Sequence, residues 1–201
     1  MAFFSASLLL AAVPGPDNVY VLSQSVINGK KSGFMVIFGL CCGLVIHTLS
    51  VALGLSAVIV ALPLMYKILT ILGAVYLLYL AWMSFKSIKP VHLQQSNTLS
   101  NLKLYKRGII MNVTNPKVVI FFLAFFPQFI DENSGNVAYQ IILLGLIFIT
   151  ATIVVFGGIA LLSSFIASHI NSSLLIHKAL HIITAIIFIT LALHLLIYQG
   201  F

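Results

Sequence analysis

Six long apolar runs constrain this chain more than any other feature of its sequence. Each run holds about 20 residues or more, the length that an α-helix needs to cross the hydrocarbon core of a bilayer. Only 6% of the residues are charged and 61% are hydrophobic, whereas about a quarter of the residues in soluble domains are charged. The sequence therefore predicts an all-α integral membrane protein with six transmembrane helices, at approximately residues 3–26, 34–60, 67–87, 108–130, 138–166 and 176–199.

The connections between these runs are short, so we expect a single membrane domain over residues 1–201. The one sizeable loop, residues 89–106, carries no pattern of a folded domain, and Lys30 and Lys31 belong to a predicted turn. Residues 1–12 form an apolar run without the basic start that signal peptides have. We interpret them as part of the first spanning segment.

The basic residues lie at the ends of the runs and fall almost entirely on one side of the predicted membrane. The side richer in Lys and Arg is the cytoplasmic one, which places both termini outside. No basic stretch with interleaved aromatic residues is present, so the net charge of +7 does not indicate nucleic-acid binding. The other side would hold Lys67 alone, and the cytoplasmic side would hold Lys30, Lys31, Lys86, Lys89, Lys103, Lys106, Arg107 and Lys178.

The first apolar run is interrupted by Pro14, Gly15 and Pro16, followed at once by Asp17 and Asn18. Each proline removes a backbone donor and clashes with the preceding helical turn, while glycine permits backbone angles that are closed to other residues. Within hydrocarbon, such a segment is tolerated only where it is packed in protein or lines a wet cavity. The segment therefore predicts a pair of half-helices at a transport site.

The fourth run contains a matching interruption, because Pro16-Asp17 aligns with Pro116-Lys117. This alignment predicts two inverted repeats of three helices each. The first covers about residues 1–88, the second covers about residues 107–201, and the loop 89–106 joins them. Inverted repeats with discontinuous helices are typical of secondary transporters, whose sites lie near the bilayer midplane. The alternative is a coincidental match between two apolar stretches.

Asp17 lies about 14 residues into the first run, which is roughly 20 Å along a helix and near the middle of the bilayer. A carboxylate at that depth is costly and generally marks a substrate pathway or a proton site. The structural alternatives are an ion pair, or a cap on the half-helix that begins after Pro16.

Lys117 lies within the fourth run, beside the amides of Asn112 and Asn115. It could pair with Asp17 or bind the carboxylate of a substrate, and the two opposite charges together would match a zwitterion. The structural alternative is a lysine whose ammonium reaches the cytoplasmic interface.

The second run contains His47 near its middle and two glycines, Gly39 and Gly43, on one helical face. A histidine can carry protons near neutral pH, but a single buried histidine is also a common hydrogen-bonded packing residue. Glycines four residues apart favour close helix packing.

No motif indicates enzymatic chemistry or a bound cofactor. A nucleophile motif, a phosphate-binding loop and a metal signature are all missing from the sequence. His177 and His181 have a spacing that could suit a metal, but no carboxylate or cysteine lies near them in the sequence. Cys41 and Cys42 are adjacent and would point roughly 100° apart on a helix, so we interpret them as packing residues. Tyr76 is interpreted as a packing or membrane-interface residue.

The motifs at both breaks occur in order with two further motifs along nearly the whole chain. They are Val13-Pro-Gly-Pro-Asp-Asn18, Gly39-Leu-Cys-Cys-Gly-Leu-Val-Ile-His47, Leu72-Gly-Ala-Val-Tyr-Leu-Leu-Tyr-Leu80, and Asn115-Pro-Lys-Val118 followed by Phe125-Phe-Pro-Gln-Phe129. This combination resembles the lysine-exporter (LysE/RhtB) family of bacterial amino-acid exporters.

The resemblance implies a small carrier of the bacterial inner membrane that exports amino acids and is driven by the proton gradient. It also implies a site built from Pro14, Gly15, Pro16 and Asp17, with Asn115, Pro116 and Lys117. Many members carry an aspartate one position after the glycine that matches Gly43, where this chain has Leu44. The missing acid disfavours a dibasic substrate such as lysine and fits neutral amino acids of the threonine, homoserine or leucine kind.

Three function classes follow from these observations. The first is a proton-coupled exporter of neutral amino acids that works by alternating access, with Asp17 changing its protonation state. The second is a metal-cation exporter of the kind found in the wider superfamily, although such a path needs several carboxylates. The third is a non-transport accessory protein or membrane enzyme. The expected partners are an amino-acid substrate, protons and the lipid bilayer, and a homodimer is left open.

Overall fold

The computed structural model describes residues 2–55, 63–86, 99–131, 135–170 and 174–198, and every regular element within those ranges is helical. In chain order the helices are α1 (Ala2–Ala12), α2 (Pro16–Ile27), α3 (Lys30–Ser50), α4 (Pro63–Lys86), α5 (Asn101–Val113), α6 (Pro116–Ile120), α7 (Val137–Leu161), α8 (Ser163–Ile170) and α9 (Leu174–Tyr198). A π-helical turn, Val51–Leu55, extends α3. A second π-helical turn, Phe121–Phe125, and a 3₁₀ turn, Phe126–Phe129, extend α6. The predicted all-α class is confirmed for the described residues.

Three of the described helical stretches are long and apolar enough to cross a membrane: Lys30–Gly54, Lys67–Lys86 and Val137–Leu161. A fourth span results if Asn101–Val113 and Pro116–Phe129, which are bent by 49° relative to each other, are counted together. Two further apolar helical stretches, Phe3–Ala12 and His181–Ile197, are shorter. These lengths and compositions support an integral membrane protein with three to four long spans.

Several element boundaries differ from those expected from the sequence. Lys30 and Lys31 do not lie in a turn but begin α3, directly after Gly29, which has a φ of +82°. Helix α5 begins at Asn101, so the end of the predicted 89–106 loop is helical. The fifth run is divided at Leu162 into α7 and α8. Residues 87–98, which include Lys89 and most of that loop, lie outside the described part of the chain.

At the first break the chain leaves the helix at Val13 and resumes it at Pro16. Proline is suited to this first position because its missing N–H would have no helical partner there. Gly15, between them, has φ −158° and ψ 179°, an extended conformation that any residue can adopt. Gly15 thus does not use the angles that only glycine permits; its backbone is extended, as expected for a residue that precedes a proline.

At the second break α5 ends at Val113 and α6 begins at Pro116. Asn115 is the residue that starts α6, and its side-chain oxygen accepts a hydrogen bond from the backbone N–H of Lys117 at 3.0 Å. Such a cap satisfies one of the donors that a helix start leaves unpaired. Asparagine at this position therefore has a structural role as well as any role in a site.

An aromatic cluster joins α1 to the irregular extension of α6. The ring of Phe3 lies 5.1 Å from that of Phe126 and 5.0 Å from that of Phe129, both edge-on. Phe148 of α7 lies 4.8 Å from Phe121 on the same extension. Edge-on and offset aromatic pairs are favourable beyond their buried area, so the cluster holds both broken helices side by side.

Helices α3 and α5 approach each other closely through two glycines. A Cβ added to Gly39 would overlap the carbonyl oxygen of Tyr105 and lie 3.0 Å from the Cα of Gly108. A Cβ added to Gly108 would overlap the carbonyl oxygen of Val36. The neighbouring Gly43 leaves room for Asn112, so the close packing expected from Gly39 and Gly43 is observed.

We expect Gly39→Ala to destabilise the protein, because the atoms that its methyl group would meet are backbone atoms that cannot rotate away. Overpacking of this kind typically costs about 1–3 kcal/mol. The measurement is thermal unfolding of the purified protein in detergent, with Gly158→Ala as the matched control. Gly158 is also helical but has no atom near the position of an added Cβ. Equal melting temperatures for the two variants would contradict this account of the α3–α5 contact.

Candidate functional site

The two breaks lie next to each other and bring five of the six polar residues singled out in the sequence to one place. Asp17, Asn18, Asn112 and Asn115 are each less than 8% exposed. Lys117 is half-buried among them. The sixth residue, His47, contacts Asn112 from the neighbouring helix α3.

Asn115 connects the two charged residues of the site. Its Nδ2 donates a hydrogen bond of 2.8 Å to Oδ2 of Asp17, while its Oδ1 accepts the backbone N–H of Lys117. The charges of Asp17 and Lys117 attract each other, but their hydrogen bonds go to other groups. Asp17 lies in the first turn of α2, where a negative charge suits the helix dipole, and its side chain does not cap that helix.

The ammonium group of Lys117 binds the end of α1. Its Nζ donates to the carbonyl oxygens of Leu10 and Val13, both at 3.2 Å. Asn18 donates to the neighbouring carbonyl of Ala11 at 2.8 Å. A helix end leaves its last carbonyls without helical partners, and it favours positive charge. The break therefore creates acceptors that Lys117 and Asn18 satisfy.

These carbonyl groups are partners of Lys117 that the sequence patterns did not reveal. The patterns point to Asp17 or a substrate as the partner of Lys117. The available signal was the break itself, since a helix that stops before Pro14 must leave carbonyls unpaired. Only the fold showed that those carbonyls face Lys117 from more than 100 residues away in the sequence.

Lys117 borders two cavities of very different size. The wide cavity has a volume of about 280 Å³ and lies against both breaks, where Gly15, Asn115 and Pro116 line it with Lys117. The narrow cavity has a volume of about 20 Å³ and is lined by Asp17, Asn112 and Lys117 among others. Asp17 Oδ1 and Asn112 Oδ1 are buried and accept no hydrogen bond from the described protein atoms. A volume of this size suits about one water molecule.

The wide cavity has a wall that no sequence pattern assigned to a site. The residues of this wall are Tyr76, Leu80, Met83 and Ser84 of α4 with His181, Thr184 and Phe188 of α9. Tyr76 lines this cavity although its sequence suggested a packing or interface role, and His181 does so although its spacing suggested only a metal ligand. No pattern marked Ser84 or Thr184, because isolated hydroxyl residues are common in apolar helices.

His47 lies outside both of these cavities. Its Nε2–H donates to the backbone carbonyl of Asn112 at 3.3 Å, and its ring lies 5.3 Å from that of Phe122. It lines a third cavity, of about 310 Å³, together with Ser50 and Gly54 of the α3 end. Among the described hydrogen bonds of His47, the one to the backbone of Asn112 reaches the site.

Metal binding has no support in the described geometry. Within the part of the chain that the structure describes, no three His, Cys, Asp or Glu side chains come close enough to hold a metal ion. The side chain of His177, which formed the suggested pair with His181, lies outside the described residues.

Comparison with known proteins agrees with these features. The model of the LysE type translocator family matches residues 8–199. The chain is 34% identical over 171 residues to the homoserine/homoserine lactone efflux protein of Salmonella typhimurium, covering 85% of this chain and 82% of that protein. The Salmonella typhi protein of the same description is 33% identical, with the same coverage.

An uncharacterized membrane protein of Vibrio cholerae is 28% identical over 173 residues, which cover 86% of this chain and 84% of that protein. No solved structure matches the chain. The family model covers nearly the whole sequence, including both breaks and the residues between them. The chain therefore belongs to the LysE type translocator family.

Proposed function

We propose that this protein exports neutral amino acids across the bacterial inner membrane in exchange for protons. The observation that carries the proposal is a buried carboxylate, Asp17, and a half-buried ammonium, Lys117, at two adjoining helix breaks beside a wide cavity. Charges within a membrane are costly and generally mark substrate or proton pathways. The substrate class is supported by the two Salmonella relatives, which are described as efflux proteins for homoserine and its lactone.

The substrate carboxylate would bind at Lys117, next to the start of α2. Two of the three ammonium hydrogens of Lys117 are used by Leu10 and Val13, so one remains for a ligand. A Cβ on Gly15 would lie 3.6 Å from Nζ, and its absence keeps the cavity side of the ammonium open. The first N–H groups of α2 add partial positive charge at the same place.

The substrate ammonium would bind the ionised carboxylate of Asp17. A proton on Asp17 removes its negative charge, so the proton and the substrate ammonium compete for one group. This competition is what exchange of substrate against protons requires. In the present conformation Lys117 lines both cavities and Asp17 lines the narrow one, so we expect a substrate in the wide cavity to reach Asp17 when Lys117 moves.

Such a movement would also release the end of α1. The carboxylate of a substrate competes with the carbonyls of Leu10 and Val13 for the ammonium of Lys117. If Lys117 turns to the substrate, the carbonyls of Leu10 and Val13 lose its hydrogen bonds. Of the three described hydrogen bonds to the end of α1, the one from Asn18 then remains. The half-helix α1 is then free to shift relative to α2, which links substrate binding to the change between inward-open and outward-open states.

A neutral substrate fits the charges of this site. Leu44 lines the narrow cavity and is 1% exposed, at the position where the family resemblance places an aspartate in many members. Asp17 is thus the one carboxylate among the described residues that line this cavity. A second positive charge on a substrate would be buried without a partner, which is strongly unfavourable.

The transport model includes six spans in two inverted repeats, with α1 to α4 forming one and α5 to α9 the other. Helix α3 packs on α7 and α4 packs on α9, as expected if equivalent helices meet about a two-fold axis. The distribution of basic residues supports an orientation with both termini outside.

The test is export from bacterial cells that overproduce the protein and are preloaded with a mixture of amino acids. We expect selective external accumulation of neutral amino acids, lost when the proton gradient is collapsed with an uncoupler. Cells carrying the empty vector provide the baseline. Equal accumulation in both cell types would overturn the proposal, and accumulation that survives the uncoupler would overturn proton coupling alone.

A further inference from the structure

The wall of the wide cavity that α4 and α9 form carries hydroxyl groups. Thr184 of α9 and Ser84 of α4 line it, between the apolar side chains of Leu80, Met83 and Phe188. Lys117 lines the same cavity together with Gly15 and Asn115 of the helix breaks. A substrate held by its charges at the breaks would therefore direct its side chain toward α4 and α9.

Thr184 differs from other threonines of the helices in its hydrogen bonding. The hydroxyls of Thr48, Thr150 and Thr190 each donate to the carbonyl four residues earlier, at 2.8–2.9 Å. The hydroxyl of Thr184 is buried and has no hydrogen-bond partner within the described part of the protein. A buried hydroxyl without a partner is unfavourable. Because Thr184 lines the wide cavity, a ligand in that cavity is the partner that this hydroxyl can gain.

Ser84 provides a second polar group on the same wall. Its hydroxyl donates to the carbonyl of Leu80 at 2.9 Å, which leaves its oxygen lone pairs as acceptors. Thr184 can donate as well as accept, because its proton is not used. Together the two residues can bind a hydroxyl group, which is itself both donor and acceptor.

We propose that Thr184, assisted by Ser84, determines the side-chain specificity of this carrier and selects small hydroxylated amino acids over aliphatic ones of equal size. This inference rests on the proposed export function. A site that is built to hydrogen-bond a hydroxyl rejects an analogue without one, because its own polar groups are then left unpaired. A cavity of about 280 Å³ suits a small amino acid.

The test measures threonine and valine export in competition, because these two amino acids have nearly the same shape. We expect the wild-type protein to export threonine in preference to valine. Thr184→Val should lower the threonine-to-valine export ratio on the order of tenfold or more, since it removes the hydrogen bond while keeping the volume. Thr184→Ser retains the hydroxyl and should preserve the preference.

Thr190→Val is the matched control, since Thr190 lies on the same helix but is exposed and bonded to Ile186. An unchanged ratio in Thr184→Val, or an equal loss of both substrates at normal protein level, would overturn the inference while leaving the export function intact. Ser84→Ala is measured in parallel and should lower the ratio to a smaller extent. If Thr184→Val does not reach the membrane, Ser84→Ala provides the test of this wall in its place. Absence of any export by the wild-type protein would instead contradict the proposed function.

Discussion

Asp17→Asn is expected to abolish export while leaving the protein folded. The substitution keeps the shape of the side chain and an oxygen that can accept the hydrogen bond from Asn115. It removes the negative charge that would bind the substrate ammonium and exchange it for a proton. Truncating one member of a buried charge pair in a binding site costs about 2–5 kcal/mol, so we expect export to fall by at least about 30-fold.

The stability of Asp17→Asn should be close to that of the wild-type protein, because Lys117 retains its two carbonyl partners on α1. The measurement combines the export assay with the amount of protein in the membrane and its melting temperature in detergent. Asp131→Asn is the matched control, since Asp131 is exposed and lies outside the helices. Proton-dependent export by Asp17→Asn at the wild-type rate would refute the role given to Asp17.

Lys117→Met is expected to be more harmful than Asp17→Asn, because it leaves a buried carboxylate without its counter-charge. Asp17 would keep the single hydrogen bond from Asn115, and the carbonyls of Leu10 and Val13 would lose their donor. Breaking a buried pair by removing one partner typically costs about 3–5 kcal/mol. We therefore expect loss of export together with a lower melting temperature or a lower level of folded protein.

The double variant Asp17→Asn with Lys117→Met separates the two effects. Removing both charges should recover most of the stability lost in Lys117→Met, because no charge is then left buried and unpaired. Export should remain absent, since neither end of a zwitterion would find its partner. Lys106→Met, at an exposed position of α5, controls for the substitution itself. If the double variant were no more stable than Lys117→Met, the electrostatic coupling between Asp17 and Lys117 would be refuted.

The expected difference between the two single variants follows from the unequal surroundings of the two charges. Lys117 has backbone acceptors at the end of α1, and Asp17 has one amide donor. The carbonyls of α1 can thus stabilise a charged Lys117 when Asp17 is neutral. An ionised Asp17 would keep only its hydrogen bond from Asn115 if Lys117 turned to a substrate. This asymmetry is what makes Asp17 the better candidate for the group that gains and loses the proton.

The sequence by itself determined the membrane class and the residues around which the site is built. Apolar runs of this length have no stable soluble arrangement, and charged side chains within them are costly enough to be conspicuous. For the same reason the amino-acid pattern alone identifies Asp17, Lys117 and the asparagines beside them as candidates. The extended backbone of Gly15 also follows from the sequence, because Pro16 restricts the residue before it, and that conformation does not require glycine.

Only the tertiary structure decided what these residues contact. Hydrogen bonds from Lys117 to α1 and from Asn115 to Asp17 join groups about 100 residues apart, and local sequence preferences carry no information about such pairs. The wall formed by Ser84 and Thr184 was equally invisible, since hydroxyl residues in apolar helices usually bond their own backbone. Thr184 lines a cavity because α4 and α9 lie beside the breaks. That arrangement depends on where the helices lie in space.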